Sequence, residues 1–217
     1  MLEKILFITG SSDEDVLELA AADFLNHARS YSQHIVIIAD QDHDPSSYTA
    51  VMKKHNICNF SVVQPDITDL KSLQNTVKLL KSASGIILDK TDLLEASCLV
   101  HPLKGLITEL YNAGVPIMGC AEQSFLLQKK NSSKTGSFMP GHTLGLIDDH
   151  IIMQKKSSSS DHLIDEMKRI GVRHGVEIES QACAVFVNGR LSKAHGEGVY
   201  HIEAHPRKKT HYSYRSK

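Results

Sequence analysis

The stretch Gly114-Val-Pro-Ile-Met-Gly-Cys-Ala-Glu-Gln-Ser124 reads as a strand, a sharp turn and the start of a helix. Such a turn lifts one side chain above a sheet and aims it at free helix N–H groups, which stabilise an anion. A hydroxyl or thiol at the apex attacks carbonyl carbon, and small neighbours are needed because the backbone is crowded. In this chain the turn carries Gly119, Cys120, Ala121 and Glu122. If it presents Cys120, His150 with Glu179 would complete a Cys-His-Glu set. The plainer reading of Cys120 is a small residue packed under the turn.

Histidine is frequent, at 13 of 217 residues, which raises the question of metal binding. His201, Glu203 and His205 alternate, so an extended strand would place all three on one face. Together with His195 they could offer imidazole and carboxylate to Zn²⁺ or Ni²⁺. The plainer reading is a solvated strand face, because motifs of the HExxH kind are absent. Asp148-Asp149 resembles a carboxylate dyad, but turn chemistry explains it. The first loop, from Thr9 to Asp13, lacks G-x-G-x-x-G, and no dinucleotide or other cofactor is expected.

These residues need a scaffold, and the periodicity supplies one. Apolar runs at 4–9, 34–39, 60–63, 85–88 and 115–118 read as buried strands. Helices are expected at 14–29, 48–56, 69–82 and 161–170, and at 93–111 in two pieces broken near His101-Pro102. Further strands are expected at 150–153, 176–178, 182–187 and 199–203, with a hairpin turn at Asn188-Gly189. Strands alternating with helices imply a mostly parallel sheet covered on both faces. The expected fold class is α/β, a three-layer α/β/α sandwich around that sheet. A single domain is expected over 1–205, followed by a basic, flexible tail at 206–217. The tail's Arg207-Lys-Lys209 with Tyr212 and Tyr214 could meet an acidic partner, but a solvated terminus is the simpler view.

Composition narrows the function classes. Lys and Arg number 24 and Asp and Glu 25, a net charge of −1. That balance argues against general nucleic-acid binding, which needs a basic surface. No apolar run approaches the roughly 20 residues that span a bilayer. The N-terminus lacks the layout of a secretory signal, so the cytoplasm is the expected compartment. Cys58, Cys98, Cys120 and Cys183 form no C-x-x-C pair and sit in apolar stretches, which reads as buried free thiols.

At this level the sequence resembles the cyanophycinase and peptidase E (aspartyl dipeptidase) family, serine peptidases on a class I glutamine amidotransferase-like fold. The resemblance runs through Phe7–Gly10, Ile35–Ala39, Ile86–Asp89, the Gly114–Gln123 turn, Thr143–Leu146, Gly175–Ser180 and Asn188-Gly189. It implies a nucleophilic serine at Ala121, where there is none. It implies small Ala-Gly at Glu122-Gln123, and a T-G-G-N-Q oxyanion loop where this chain has Asp89-Lys-Thr-Asp-Leu93. The family's acidic pair falls on Glu179-Ser180. Its histidine falls on His150 in one register and on Lys155 in another. The second is preferred, because it leaves 150–153 as a strand and the turn at 154–156.

The resemblance therefore implies a homologue that is catalytically inactive or altered, with a charged pocket. Lys90, Asp92, Cys120, Ala121, Glu122, Lys155, Glu179 and Ser180 are expected to line it. A small peptide or amino-acid derivative, or a protein partner, would be its ligand. An active hydrolase or amidotransferase using Cys120 with His150 is the alternative, and a His-rich metal-binding protein a second. A homodimer is common for this fold and is expected on that analogy.

Overall fold

The computed structural model describes residues 2–28, 34–39, 44–66, 68–89, 97–121, 127–128, 143–155, 161–204 and 209–214, except the side chains of 97–102 and 209–214. The continuous apolar runs become the centre of the molecule. Strands β1 (Ile5–Thr9), β2 (Ile35–Ile38), β4 (Gly85–Leu88) and β5 (Ile117–Cys120) are buried at every position. β3 (Phe60–Val63) is partly exposed and forms one edge.

The main sheet has seven strands in the order β3-β2-β4-β5-β1-β8-β9. The first five pair in parallel. β8 (Cys183–Val187) and β9 (Arg190–His195) extend the sheet antiparallel through the Asn188-Gly189 turn. Asn188 sits at φ 52° and Gly189 at φ 78°, the left-handed pair a two-residue hairpin needs.

Helices α1 (Glu14–His27) and α2 (Ser46–Lys54) carry the chain outward from β1 to β3 and cover one face. The chain then returns inward through α3 (Leu70–Lys81) and α4 (Ser97–Asn112), which cover the other. Right-handed crossovers require that change of face when the direction reverses. Asp69 caps α3 by accepting from the backbone N–H groups of Lys71 and Ser72. α4 runs as one helix rather than two pieces. Pro102, the sixth residue of the helix, forgoes one backbone bond, and Leu103, Ile107 and Tyr111 continue the buried stripe at helical spacing.

The late strands do not all join the main sheet. β6 (His150–Gln154), β7 (His174–Ile178), β10 (Val199–Ala204) and β11 (Lys209–Tyr214) form a second sheet in the order β11-β10-β7-β6. One of its faces, through Ile152, Val176, Ile178 and Val199, joins the core that contains Leu6, Ile8 and Phe186. The opposite face is covered by α5 (Asp161–Ile170), through Leu163, Ile164 and Met167. Residues 209–214, expected in a flexible tail, instead pair with β10 along six positions. Thr210, Tyr212 and Tyr214 alternate as strand formers, and that pattern outweighs the basic composition of the segment. Among the thiols, Cys120 and Cys183 are buried as expected, whereas Cys58 is exposed.

Phe24 of α1 is fully buried and meets the edge of Phe7 on β1, with ring centroids 5.5 Å apart. Phe24→Ala should therefore lower unfolding stability by about 3–5 kcal/mol. Urea denaturation checks this. A loss below 1 kcal/mol would mean that α1 does not pack on the sheet as described.

Candidate functional site

Two clusters gather at the C-terminal end of the parallel strands, the edge where α/β sheets place their ligands. β5 ends beside β1, with Cys120 opposite Thr9. Cys120 is 1% exposed and Ala121 2% exposed. The Ala121 methyl is part of the apolar core. Gly119 lets Leu127 pack close, since a Cβ there would lie 3.0 Å from Leu127 Cδ1. Beside them Asp89, directly after β4, is fully buried. The Tyr48 hydroxyl hydrogen-bonds to its carboxylate, and Cys120 is close by. Burial first, then Asp89, drives the Tyr48 pKa up.

The second cluster comes from the second sheet. Lys155 follows the end of β6 and Glu179 follows the end of β7. Lys155 Nζ donates to Glu179 Oε1 at 3.0 Å, and the Tyr200 hydroxyl donates to the same oxygen at 2.8 Å. The ammonium also lies over the Tyr200 ring, 3.6 Å from its centroid. Partial burial works against the charged Lys155, but Glu179 and Tyr200 outweigh it and raise its pKa. The hydrogen bond from Lys155, then that from Tyr200, lowers the pKa of Glu179. Both groups are thus held ionised.

The two clusters are brought to one edge by Gly10. Its N–H donates to Ala182 O at 2.7 Å, and its carbonyl accepts from Gln154 Nε2 at 2.9 Å. A Cβ on Gly10 would fall 1.8 Å from Glu179 O and 2.9 Å from Ser180 Cα. Ser180 lies exposed at that contact. Of the expected pocket, Cys120, Ala121, Lys155, Glu179 and Ser180 are therefore placed around the ends of β1, β5, β6 and β7. Lys90, Asp92 and Glu122 lie outside the described residues.

His150 is elsewhere, and the Cys120–His150–Glu179 set is not assembled. His150 opens β6, at the other end of the strand from Lys155. Its ring meets Phe186, with centroids 5.5 Å apart. Phe186 pairs with Leu6, three residues before Thr9, which is about 10 Å along the strand from the Cys120 end. β6 ends at Gln154 with Lys155 directly after it, and residues 156–160 lie outside the described residues.

His150 stacks instead with His174 and His201, at ring-centroid distances of 5.0 and 5.8 Å, and those two rings lie 5.4 Å from each other. Burial first, then the two neighbouring imidazoles, pushes His150 down to about 4. Burial and His174 lower His201 as well. The expected His195/His201/Glu203/His205 group is described only in part, and His195 stands apart from His201. His195 is on β9 and bonds Asp23 at 3.0 Å, Glu203 faces Arg173 at 3.8 Å, and His205 lies outside the described residues. Asp148 and Asp149 line the groove beside the three histidines. Tyr48, Asp89, Tyr200 and His174 were not anticipated. Asp89 carried the best signal, an acid closing a strand that is otherwise apolar.

This architecture, a mostly parallel sheet flanked by helices, is that of peptidase E-like proteins. A peptidase from an acI-B1 Actinobacterium superposes with a TM-score of 0.66 at 13% identity, over 98% of this chain and 95% of that one. A protein from Listeria monocytogenes EGD-e described as peptidase E gives 0.60 at 13% identity, over 88% and 97%. No protein-family model and no curated protein sequence matches the chain. No described helix is long and apolar enough to cross a membrane.

The Glu179 carboxyl should titrate below the ordinary carboxylate range. Carbon-detected NMR of the side chain checks this. Lys155→Met should return its midpoint toward that range, and Tyr200→Phe should do so in part. Because the folded pKa is depressed, the pair's stabilisation is present above the unfolded value and disappears as pH falls through the folded one. An unchanged midpoint in Lys155→Met would mean that the pair is not formed.

Proposed function

We propose that this chain is a peptidase E-like protein whose strand-end site binds, rather than cleaves, a small peptide or amino-acid derivative. One observation carries the reading. Where the resemblance calls for a histidine base, Lys155 is held cationic by Glu179 and Tyr200. A base must give up its proton near the working pH, and a lysine held charged does not. Ala121 brings no nucleophile, and Cys120 is buried close to the Tyr48 phenol.

The site's chemistry fits a ligand with both charges. The Lys155 ammonium is complementary to a carboxylate, and Glu179 to an amine or guanidinium. The similar structures carry peptidase names. That supports a peptide-like ligand, with aspartyl dipeptides and cyanophycin as the first compounds to try.

Calorimetry with aspartyl dipeptides should show saturable binding while amino-acid release stays at background. Lys155→Met should weaken that binding about tenfold or more, the scale of one charge-assisted hydrogen bond. Sustained turnover that disappears in Cys120→Ala would overturn the proposal, and so would binding indifferent to Lys155.

A further inference from the structure

The three imidazoles stand on one face of the second sheet. His150 pairs with His174 across β6 and β7. His201 is opposite Val176, two residues along β7 on the same side as His174. One ring nitrogen from each residue lies within 4.8 Å of the other two. His150 Nδ1, His174 Nδ1 and His201 Nε2 are buried with no hydrogen-bond partner among the described residues. So are Thr108 Oγ1 and the Tyr111 hydroxyl. All five residues line one groove of about 870 Å³, between the start of β1, the end of α4 and the start of the second sheet. Buried polar atoms normally have partners. Five that converge on one groove point to a ligand.

We propose that His150, His174 and His201 bind one divalent transition-metal ion, Zn²⁺ foremost, with a fourth coordination position open to this groove. Neutral imidazole is the ligating form. Three nitrogens around a tetrahedral ion stand about 3.3 Å apart, given Zn–N bonds near 2.0–2.1 Å. Side-chain rotation of roughly an ångström closes the present spacing to that value. An all-imidazole set selects Zn²⁺, Cu²⁺ or Ni²⁺ over Mg²⁺ and Ca²⁺, which require oxygen ligands. Asp149 and Glu203 lie near enough to act electrostatically on His150 and His201. They are suited to the outer-shell carboxylates that orient metal-bound histidines. Thr108 and Tyr111 offer hydroxyls to whatever takes the open position. This site is at the opposite end of β6 from Lys155, so it is independent of the proposed ligand site.

The test uses untagged full-length protein stripped with a chelator. Titration with Zn²⁺ should show one ion bound per chain and a rise in melting temperature that the chelator reverses. Mg²⁺ should do neither. Co²⁺ substitution should give the visible bands of a tetrahedral nitrogen–oxygen site without thiolate charge transfer. His174→Ala and His201→Ala should each weaken Zn²⁺ binding by more than about 100-fold, beyond the loss expected for an outer-shell partner. His195→Ala should leave it unchanged. Failure to bind Zn²⁺, binding that survives both variants, or a thiolate signature would overturn the proposal. If the variants do not fold, X-ray absorption of the Zn²⁺-loaded native protein decides. Three imidazoles near 2.0 Å uphold it, and fewer than three reject it.

Discussion

The contact between Gly10 and the turn after β7 fixes the relation of the two sheets. No side chain fits there, because a Cβ would overlap the Glu179 carbonyl. The Gly10 amide and carbonyl are both used in tying the 179–182 turn and Gln154 to the end of β1. Once that point is set, the direction of β6 decides everything else. Lys155 comes to the C-terminal edge of the main sheet, and His150 goes to the far edge. Five residues of extended chain put about 16 Å between them. One strand thus serves two chemically unlike places. One is a charged cluster with both partners ionised, and the other is a stack of imidazoles in which burial lowers the pKa of His150 and His201.

Much of this was legible in the sequence because it depends on local pattern. The buried parallel strands were visible as unbroken runs of Ile, Leu and Val, since both faces of such strands are covered. Helix α5 was visible from its 3.6-residue spacing, and the β8–β9 turn from Asn-Gly. Pro102 misled because a proline's local cost is one lost backbone bond, and the packing of Leu103, Ile107 and Tyr111 outweighs it. The segment 209–214 misled because composition was weighed above alternation.

The site was legible only in part, for a different reason. Lys155 and Glu179 could be found because each follows a strand that the sequence marks. Their partner Tyr200 could not, because it depends on how β10 aligns with β7. The three histidines show the same limit. His150, His174 and His201 are separated by 24 and 27 positions, with no motif spacing between them. Only the parallel register of β6 with β7 and the antiparallel register of β7 with β10 place them together. Alternation within one strand, as in His201-Ile-Glu203-Ala-His205, is easy to see in a sequence. Here it pointed away from the cluster that the fold builds.

The chemistry of the strand-end cluster follows from which charge stands where. A hydrolytic site needs a group that takes a proton from the nucleophile and returns it to the leaving group, so its pKa must lie near the working pH. Lys155 is moved the other way. Glu179 stabilises the ammonium and the Tyr200 ring faces it, so deprotonation would break a hydrogen bond and remove a cation–π contact together. Ala121 lies buried in the apolar core. On the proposed reading, the contacts that keep Lys155 charged also suit recognition. An ammonium beside a carboxylate, with side chains 28% and 42% exposed, would present a dipole of defined direction to a zwitterion.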